Sequence, residues 1–246
     1  MKTQYQSAQR GATLIVVLFI LLLVTILGAT AIRQSIQSLA IAMNSQAIDL
    51  LRQGSDSVML TLEQPSRLNE LSTSAGLLGF IRRPENIGKE LVFCFKEGKR
   101  PLADVNKASL IYKEGNTIRN NSLGIEGYCD PTSTSGNFFT SKRRAVLTQV
   151  AIRRVAASDA PFSNYTVGTD FVSAKTENND QIVVSVISIL PSLSNASLPE
   201  IKACLQTHMS VVTRPEETTI TQCLNNLNVP YNTQVATYKY MAGFDS

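Results

Sequence analysis

The sequence predicts an α+β protein in which one long N-terminal helix packs on a head domain with an antiparallel sheet. Residues 12–32 (ATLIVVLFILLLVTILGATAI) form a block of 21 residues without a charge. Apolar residues then recur at spacings of three and four, and the first proline of the chain is Pro65. Later runs, of which residues 181–190 (QIVVSVISIL) are the clearest, have the β-branched composition of strands.

The uncharged block is long enough to cross a membrane as a helix, because about 20 residues at about 1.5 Å each span about 30 Å of hydrocarbon. We therefore predict one helix over residues 12–63, with a membrane half at 12–33 and an amphipathic half at 34–64. Pro65 stops it. The amphipathic half has one apolar stripe to bury: Ile36, Leu39, Met43, Ala47, Leu50, Leu51, Gly54, Val58 and Leu62.

Residues 65–246 are predicted to form the α+β head. Short helical turns are expected between residues 65 and 86, and a hairpin over residues 109–119 is expected to turn at residues 114–116 (EGN). Residues 128–137 read as a loop. The remaining predicted elements are strands at 91–96, 146–155, 181–190 and 232–241, and helices at 198–207 and 216–227.

The charge pattern gives an orientation but no ligand. The formal net charge of +4 is too small to indicate nucleic acid or anionic lipid by itself. Lys2 and Arg10 precede the apolar block, and Arg33 alone follows it closely. The positive-inside rule therefore places the N-terminus in the cytoplasm and the head outside it.

All four cysteines lie in the exported head: Cys94, Cys129, Cys204 and Cys223. An even number of cysteines in an oxidising compartment indicates disulfides, and four cysteines allow three connectivities. Sequential pairing closes the shortest loops, so we favour it. No C-x-x-C motif occurs and His208 is the single histidine, so a zinc site is not expected.

The N-terminus has the form of a short processed leader. Residues 1–11 are polar and basic, and Gly11 directly precedes the apolar block. This arrangement resembles the class III signal of type IV prepilins. The resemblance implies that a membrane peptidase cuts after Gly11 and methylates the new N-terminal residue, Ala12.

One departure from the pilin pattern is informative. Most pilins have glutamate five residues into the processed chain, where it pairs with the free amine of a neighbouring subunit; this chain has Val16. In the family, loss of that glutamate goes with subunits at the filament tip. The run QRGATLIVVLFILLLVT, with residues 45–51, is similar to the PilX class of minor pilins. The resemblance covers about 50 of the 246 residues.

The resemblance implies a non-catalytic minor pilin in the complex that primes assembly and caps a type IV pilus, supporting adhesion, twitching motility or DNA uptake. The implied partners are other minor pilins and the major pilin, through the N-terminal helix, together with a PilY-type tip adhesin and the prepilin peptidase. The head is expected in the periplasm beside the inner membrane before assembly, and at the pilus tip afterwards. No cofactor or metal is implied.

Two alternatives remain open. One is a minor pseudopilin of a type II secretion system, which shares the leader. The other is a secreted or membrane-anchored binding domain, since residues 29–31 (ATA) also fit an ordinary secretory cleavage site. The length of the apolar stretch and the continuation of the helix through that site favour the filament interpretation.

Enzymatic and ligand-binding motifs are weak or absent in the sequence. Neither Gly-x-Ser-x-Gly nor His-Glu-x-x-His occurs, so no catalysis is expected. Residues 142–144 (KRR) with Arg153 and Arg154 suggest a basic stripe for DNA, but no aromatic ladder accompanies it. Asp104 and Asn106 offer oxygens to Ca²⁺, although a turn explains both.

Overall fold

A computed structural model describes residues 12–96, 104–133, 145–155, 181–211 and 217–239 of the chain. The chain divides into two compact units, Met1–Ile48 and Asp49–Ser246. The first unit contains the start of a long helix. The second contains the end of that helix and the whole of the sheet.

The N-terminal helix α1 (Ala12–Leu62) has 51 residues. No proline interrupts it, and helix α2 (Pro65–Ser72) begins with Pro65 in its first turn, where a missing N–H costs nothing. Helix α3 (Leu77–Ile81) follows. The predicted long helix and the short helical turns behind it are therefore confirmed.

Six strands form one antiparallel sheet in the order β3-β2-β1-β4-β5-β6. The predicted hairpin forms β2 and β3, and Gly115 in its turn has a φ of 63°, which favours glycine. The strands are β1 (Glu90–Cys94), β2 (Ser109–Glu114), β3 (Thr117–Arg119), β4 (Leu147–Val155), β5 (Gln181–Ile189) and β6 (Tyr231–Lys239).

The two faces of the sheet carry separate cores because side chains alternate along each strand. One face, with Val150, Ile152, Val184 and Val186, packs on the end of α1 and on the two short helices behind it. The opposite face packs on helices α4 (Leu198–Thr207) and α5 (Ile220–Asn226). The core residues of this second face are Leu147, Ile187, Ile189, Ile201, Leu205, Ile220 and Leu224.

Capping side chains set the starts of α4 and α5. Ser197 and Thr219 each accept a hydrogen bond from the backbone three residues on, in capping boxes completed by Glu200 and Gln222. The predicted bounds of α4 are confirmed. The predicted start of α5 at residue 216 lies outside the described residues, and the helix itself begins four residues later because Thr219 caps it.

These elements confirm the predicted fold class. A long apolar N-terminal helix is followed by an antiparallel sheet, and the end of that helix, with Val58 and Leu62, packs on the sheet, as in type IV pilins. The predicted buried stripe is confirmed only there: Ile36, Leu39 and Met43 are exposed, because no described part of the head covers them. Of the predicted loop at 128–137, residues 128–133 are described, and they form neither helix nor strand.

Candidate functional site

The first half of α1 presents an apolar surface on all sides. Leu14 to Leu23 are each about half exposed or more, although every residue among them is a large hydrophobic. Such a surface is unfavourable in water by about 25 cal/mol per Å² of apolar area. In the part of the chain that the structure describes, α1 is the one helix long and apolar enough to cross a membrane.

Apolar exposure continues beyond the length that a membrane requires. Ile36, Leu39, Ile41 and Met43 are all exposed, and residues 34–48 contain no charged side chain. A simple anchor needs about 20 apolar residues. The helix therefore has a second exposed apolar segment after its predicted membrane half.

The predicted processing residues fall at the start of this helix. Gly11 lies outside the described residues, and Ala12 is the first residue of α1. Val16 lies one turn further on and is 56% exposed. No acidic side chain occurs in the first turn, so the described start of α1 offers no carboxylate to an amine.

In the second unit, Gly54 allows α1 to approach the sheet closely. A Cβ atom at Gly54 would lie 2.9 Å from Cγ1 of Val146, 3.1 Å from Oγ of Ser188 and 3.2 Å from Oγ1 of Thr148. These separations are shorter than ordinary van der Waals contact. Glycine is required here by packing and not by an unusual backbone angle.

Next to Gly54, a hydroxyl cluster of Ser55, Thr148 and Ser188 joins α1 to the sheet, and Asn232 bonds to it. The Ser55 hydroxyl donates to Oγ of Ser188 at 2.9 Å, and Thr148 Oγ1 lies 2.9 Å from the same oxygen. The Asn232 amide donates to Ser55 Oγ at 3.0 Å. Because the three hydroxyl groups are buried, these bonds are costly to leave unmade.

The end of α1 also contacts β6. The Gln234 amide donates to the Asp56 carboxylate at 2.7 Å, and the Tyr238 hydroxyl donates to the Glu63 carboxylate at 3.2 Å. Burial raises the pKa of Tyr238, and the negative charge of Glu63 raises it further. Two carboxylates therefore lie along this side of the sheet.

The structure joins the cysteines in sequential order. Cys94 at the end of β1 bonds to Cys129 with Cα atoms 4.8 Å apart, and Cys204 of α4 bonds to Cys223 of α5 with Cα atoms 5.7 Å apart. The first bond lies between a strand and the loop after the hairpin. The second holds the two helices of the opposite face together.

Glu90 is a buried carboxylate that sequence analysis did not identify. It lies at the start of β1 and accepts hydrogen bonds from the Ser210 N–H at 2.8 Å, the Ser210 hydroxyl at 2.9 Å and the Val211 N–H at 3.2 Å. Burial raises its pKa, and the bonds from Ser210 and Val211 and the charge of Arg153 partly oppose the rise. The sequence feature that could have indicated Glu90 is an acidic residue at the start of an otherwise apolar strand.

Further polar contacts fix the region of α4 and α5 on the sheet. Lys113 of β2 pairs with Glu217, and Lys202 of α4 pairs with Asp130 at 2.6 Å. Burial alone would raise the pKa of Asp130, but hydrogen bonds from Lys202 and Thr132 outweigh it and lower the pKa. With Glu90 and the Cys204–Cys223 bond, these pairs hold the region in place.

The weaker candidates have structural roles where the structure describes them. Arg154 donates to the Arg82 carbonyl at 2.7 Å, while residues 142–144 lie outside the described residues. His208 follows α4 and contacts Thr207. Asp104 accepts from the Asn106 N–H at 3.0 Å, which confirms a turn. Among the described residues, no group of His, Cys, Asp and Glu is placed to hold a metal ion.

Comparison with known proteins finds no matching family model, no matching curated protein and no matching solved structure.

Proposed function

We propose that this chain is a non-catalytic minor pilin of a type IV pilus. It belongs to the tip complex that primes pilus assembly, and it supports adhesion, twitching motility or DNA uptake. The observation that carries the proposal is α1: one continuous helix that exposes apolar side chains from Leu14 to Met43 and then buries Leu51, Val58 and Leu62 in the head.

The exposed segment past the membrane half supports a filament subunit over a simple anchor. Before assembly, the inner membrane covers the first part of the helix. Ile36, Leu39 and Met43 require a second apolar surface. Helices of other minor pilins and of the major pilin supply it, because each packs apolar side chains of the same kind.

Val16 supports a position at the tip. A subunit inside the filament gains a pair between its glutamate and a neighbour's amine, and this chain has no acid in the first turn of α1. At the tip no subunit lies ahead, so nothing is lost. In this position the disulfide-linked head is accessible to a PilY-type adhesin. The prepilin peptidase acts earlier, between Gly11 and Ala12.

The N-terminus of the mature protein tests the proposal. Intact mass and terminal sequencing should give a start at methylated Ala12 in cells with the prepilin peptidase, and an uncut chain in cells without it. A start at Ile32 would identify a secreted domain, and Met1 retained in both strains would identify a simple membrane anchor. Either result would refute the filament proposal.

A deletion strain separates the two filament systems. We expect loss of surface pili and of twitching, with secretion of exported enzymes unchanged. If secretion is lost and piliation is normal, the chain is a pseudopilin of a type II system.

A further inference from the structure

Strand β6 (Tyr231–Lys239) is an edge of the sheet, and it is unusually regular for an edge. It pairs with β5 along all nine residues, from Gln181 opposite Lys239 to Ile189 opposite Tyr231, without a bulge. The opposite edge, β3, has three residues and carries the ion pair of Arg119 with Glu114. Short edge strands and charged side chains protect a sheet edge against pairing, whereas β6 has nine residues and no charged residue before Lys239 at its end.

The register identifies the backbone groups that face outward. The Leu190 N–H donates to the Pro230 carbonyl at 3.1 Å. These two residues follow the pair of Ile189 and Tyr231 in the same register, so they lie directly opposite each other. Because hydrogen-bonded pairs alternate in an antiparallel ladder, the even-numbered residues of β6 face β5. The N–H and C=O groups of Tyr231, Thr233, Val235 and Thr237 therefore point away from the sheet, where none of the described strands pairs with them.

The side chains at these positions favour pairing with a further strand. Thr233, Val235 and Thr237 are β-branched and exposed, and Val235 is 60% exposed. No proline occurs in β6, and its one charged residue is Lys239 at the end. Lysine and proline are among the residues that protect natural edge strands from pairing.

We propose that β6 accepts an extended segment of another protein as a seventh strand, and that this segment is basic on the side that faces α1. Strand addition obtains its affinity from backbone hydrogen bonds, and the side-chain neighbours determine its specificity. Asp56 and Glu63, which hold Gln234 and Tyr238, line this side of β6. Leu60 lies between them on the helix and is 67% exposed.

The acidic side chains argue against a second copy of β6 as the occupant. In a symmetric antiparallel pair about Val235, each copy would bring its own Asp56 and Glu63 to the same face. The strand carries no basic residue before Lys239 to compensate them. Gln234 and Tyr238 lie about 13 Å apart along the strand. A segment with Lys or Arg at two positions about four residues apart has its charges at the same spacing.

A photo-cross-linking residue, p-benzoylphenylalanine, tests the proposal in the full-length chain in its own cells. Introduced at Thr233 or Thr237, it should form cross-links to one segment of another protein, identified by mass spectrometry of the linked peptides. The linked position in that segment should shift by about four residues between the two sites, since strands pair residue by residue. The same residue at Thr117, on the opposite edge, is the matched control and should not reach that segment.

Two variants make the test specific for backbone pairing and charge. Val235→Pro removes an outward N–H and leaves the ladder to β5 intact, so the cross-link from Thr233 should be lost, while Val235→Thr should retain it. Glu63→Lys, at an exposed position, should weaken the cross-link by repelling a basic segment. Cross-links to a second copy, cross-links without a register, or a product that persists in both Val235→Pro and Glu63→Lys would overturn the proposal.

Discussion

Gly54 and Glu90 are two single residues that each fix a contact within the head. Gly54 brings α1 within contact of Val146 and Ser188. Glu90 holds the backbone at Ser210, 120 residues away in sequence. The apolar pattern of α1 placed Gly54 on the buried stripe, whereas the partners of Glu90, Ser210 and Val211, could not be predicted because they are distant in sequence.

We expect Gly54→Val to lower the free energy of unfolding by about 1–3 kcal/mol, because the added side chain has no space against the sheet. Gly28→Val is the matched control, since nothing lies within 4 Å of a Cβ atom at Gly28. Denaturant unfolding of both variants in mild detergent measures the difference. Equal stability of the two variants would contradict the close packing at Gly54.

Glu90→Gln should change how stability depends on pH. Because burial raises the pKa of Glu90 above 4.5, the folded state binds its proton more tightly than the unfolded chain does. The resulting stability is complete below the unfolded pKa and is lost as pH rises through the folded one. The stability of the wild type relative to the variant should therefore fall as pH rises above about 4.5.

Thermal unfolding of the two proteins at a series of pH values from acidic to neutral measures the trend. Glu85→Gln, at an exposed glutamate nearby, controls for the loss of one surface charge. A constant difference between wild type and Glu90→Gln would show that Glu90 does not titrate differently in the folded chain.

At the scale of elements, local sequence patterns were sufficient to predict most of the helix and strand boundaries. The predicted hairpin, the run that forms β5 and the helix from Leu198 to Thr207 all depend on neighbouring residues, and the structure has each of them. The strand order could not be predicted, because β1 lies between β2 and β4 only through pairings that are distant in sequence. The edge position of β6 follows from that order.

The disulfides allow a prediction at this scale. Replacing Cys204 and Cys223 with serine should lower the free energy of unfolding by about 3 kcal/mol, because a closed loop of this size restricts the unfolded chain. Replacing Cys94 and Cys129, which are 35 residues apart instead of 19, should cost slightly more. Denaturant unfolding compares the two double variants with the wild type, and no loss in either would contradict the prediction.

For the whole molecule, most of the exposed large hydrophobic residues lie in the first unit, between Leu14 and Ile48. A chain that begins at Asp49 keeps the buried stripe of α1 and both disulfides. We expect it to be soluble and folded without detergent, whereas the full-length chain requires detergent. Size-exclusion chromatography and circular dichroism test this expectation, and aggregation of the shorter chain would contradict it.

Val16→Glu tests the position of the chain in the filament. If Val16 suits a tip subunit, a glutamate there should allow incorporation along the shaft, and it should change pilus number or the position of the subunit in immunogold images. Val17→Glu is the matched control, because it places the same charge one residue further along the helix. Unchanged pili in the Val16 variant would remove the argument from this position.

The hydroxyl cluster beside Gly54 has a mechanical consequence. A pull along α1 would shear the helix against the sheet, and a slip of one helical turn, about 5.4 Å, would bring Leu50 or Val58 to the place of Gly54. Neither side chain fits where a single Cβ atom already lies 2.9 Å from Val146. The same slip would separate Ser55 from Ser188 and leave buried hydroxyls unpaired. The contact between α1 and the sheet therefore resists sliding of the helix in both directions, and tension on the helix is transmitted to the strands of the head.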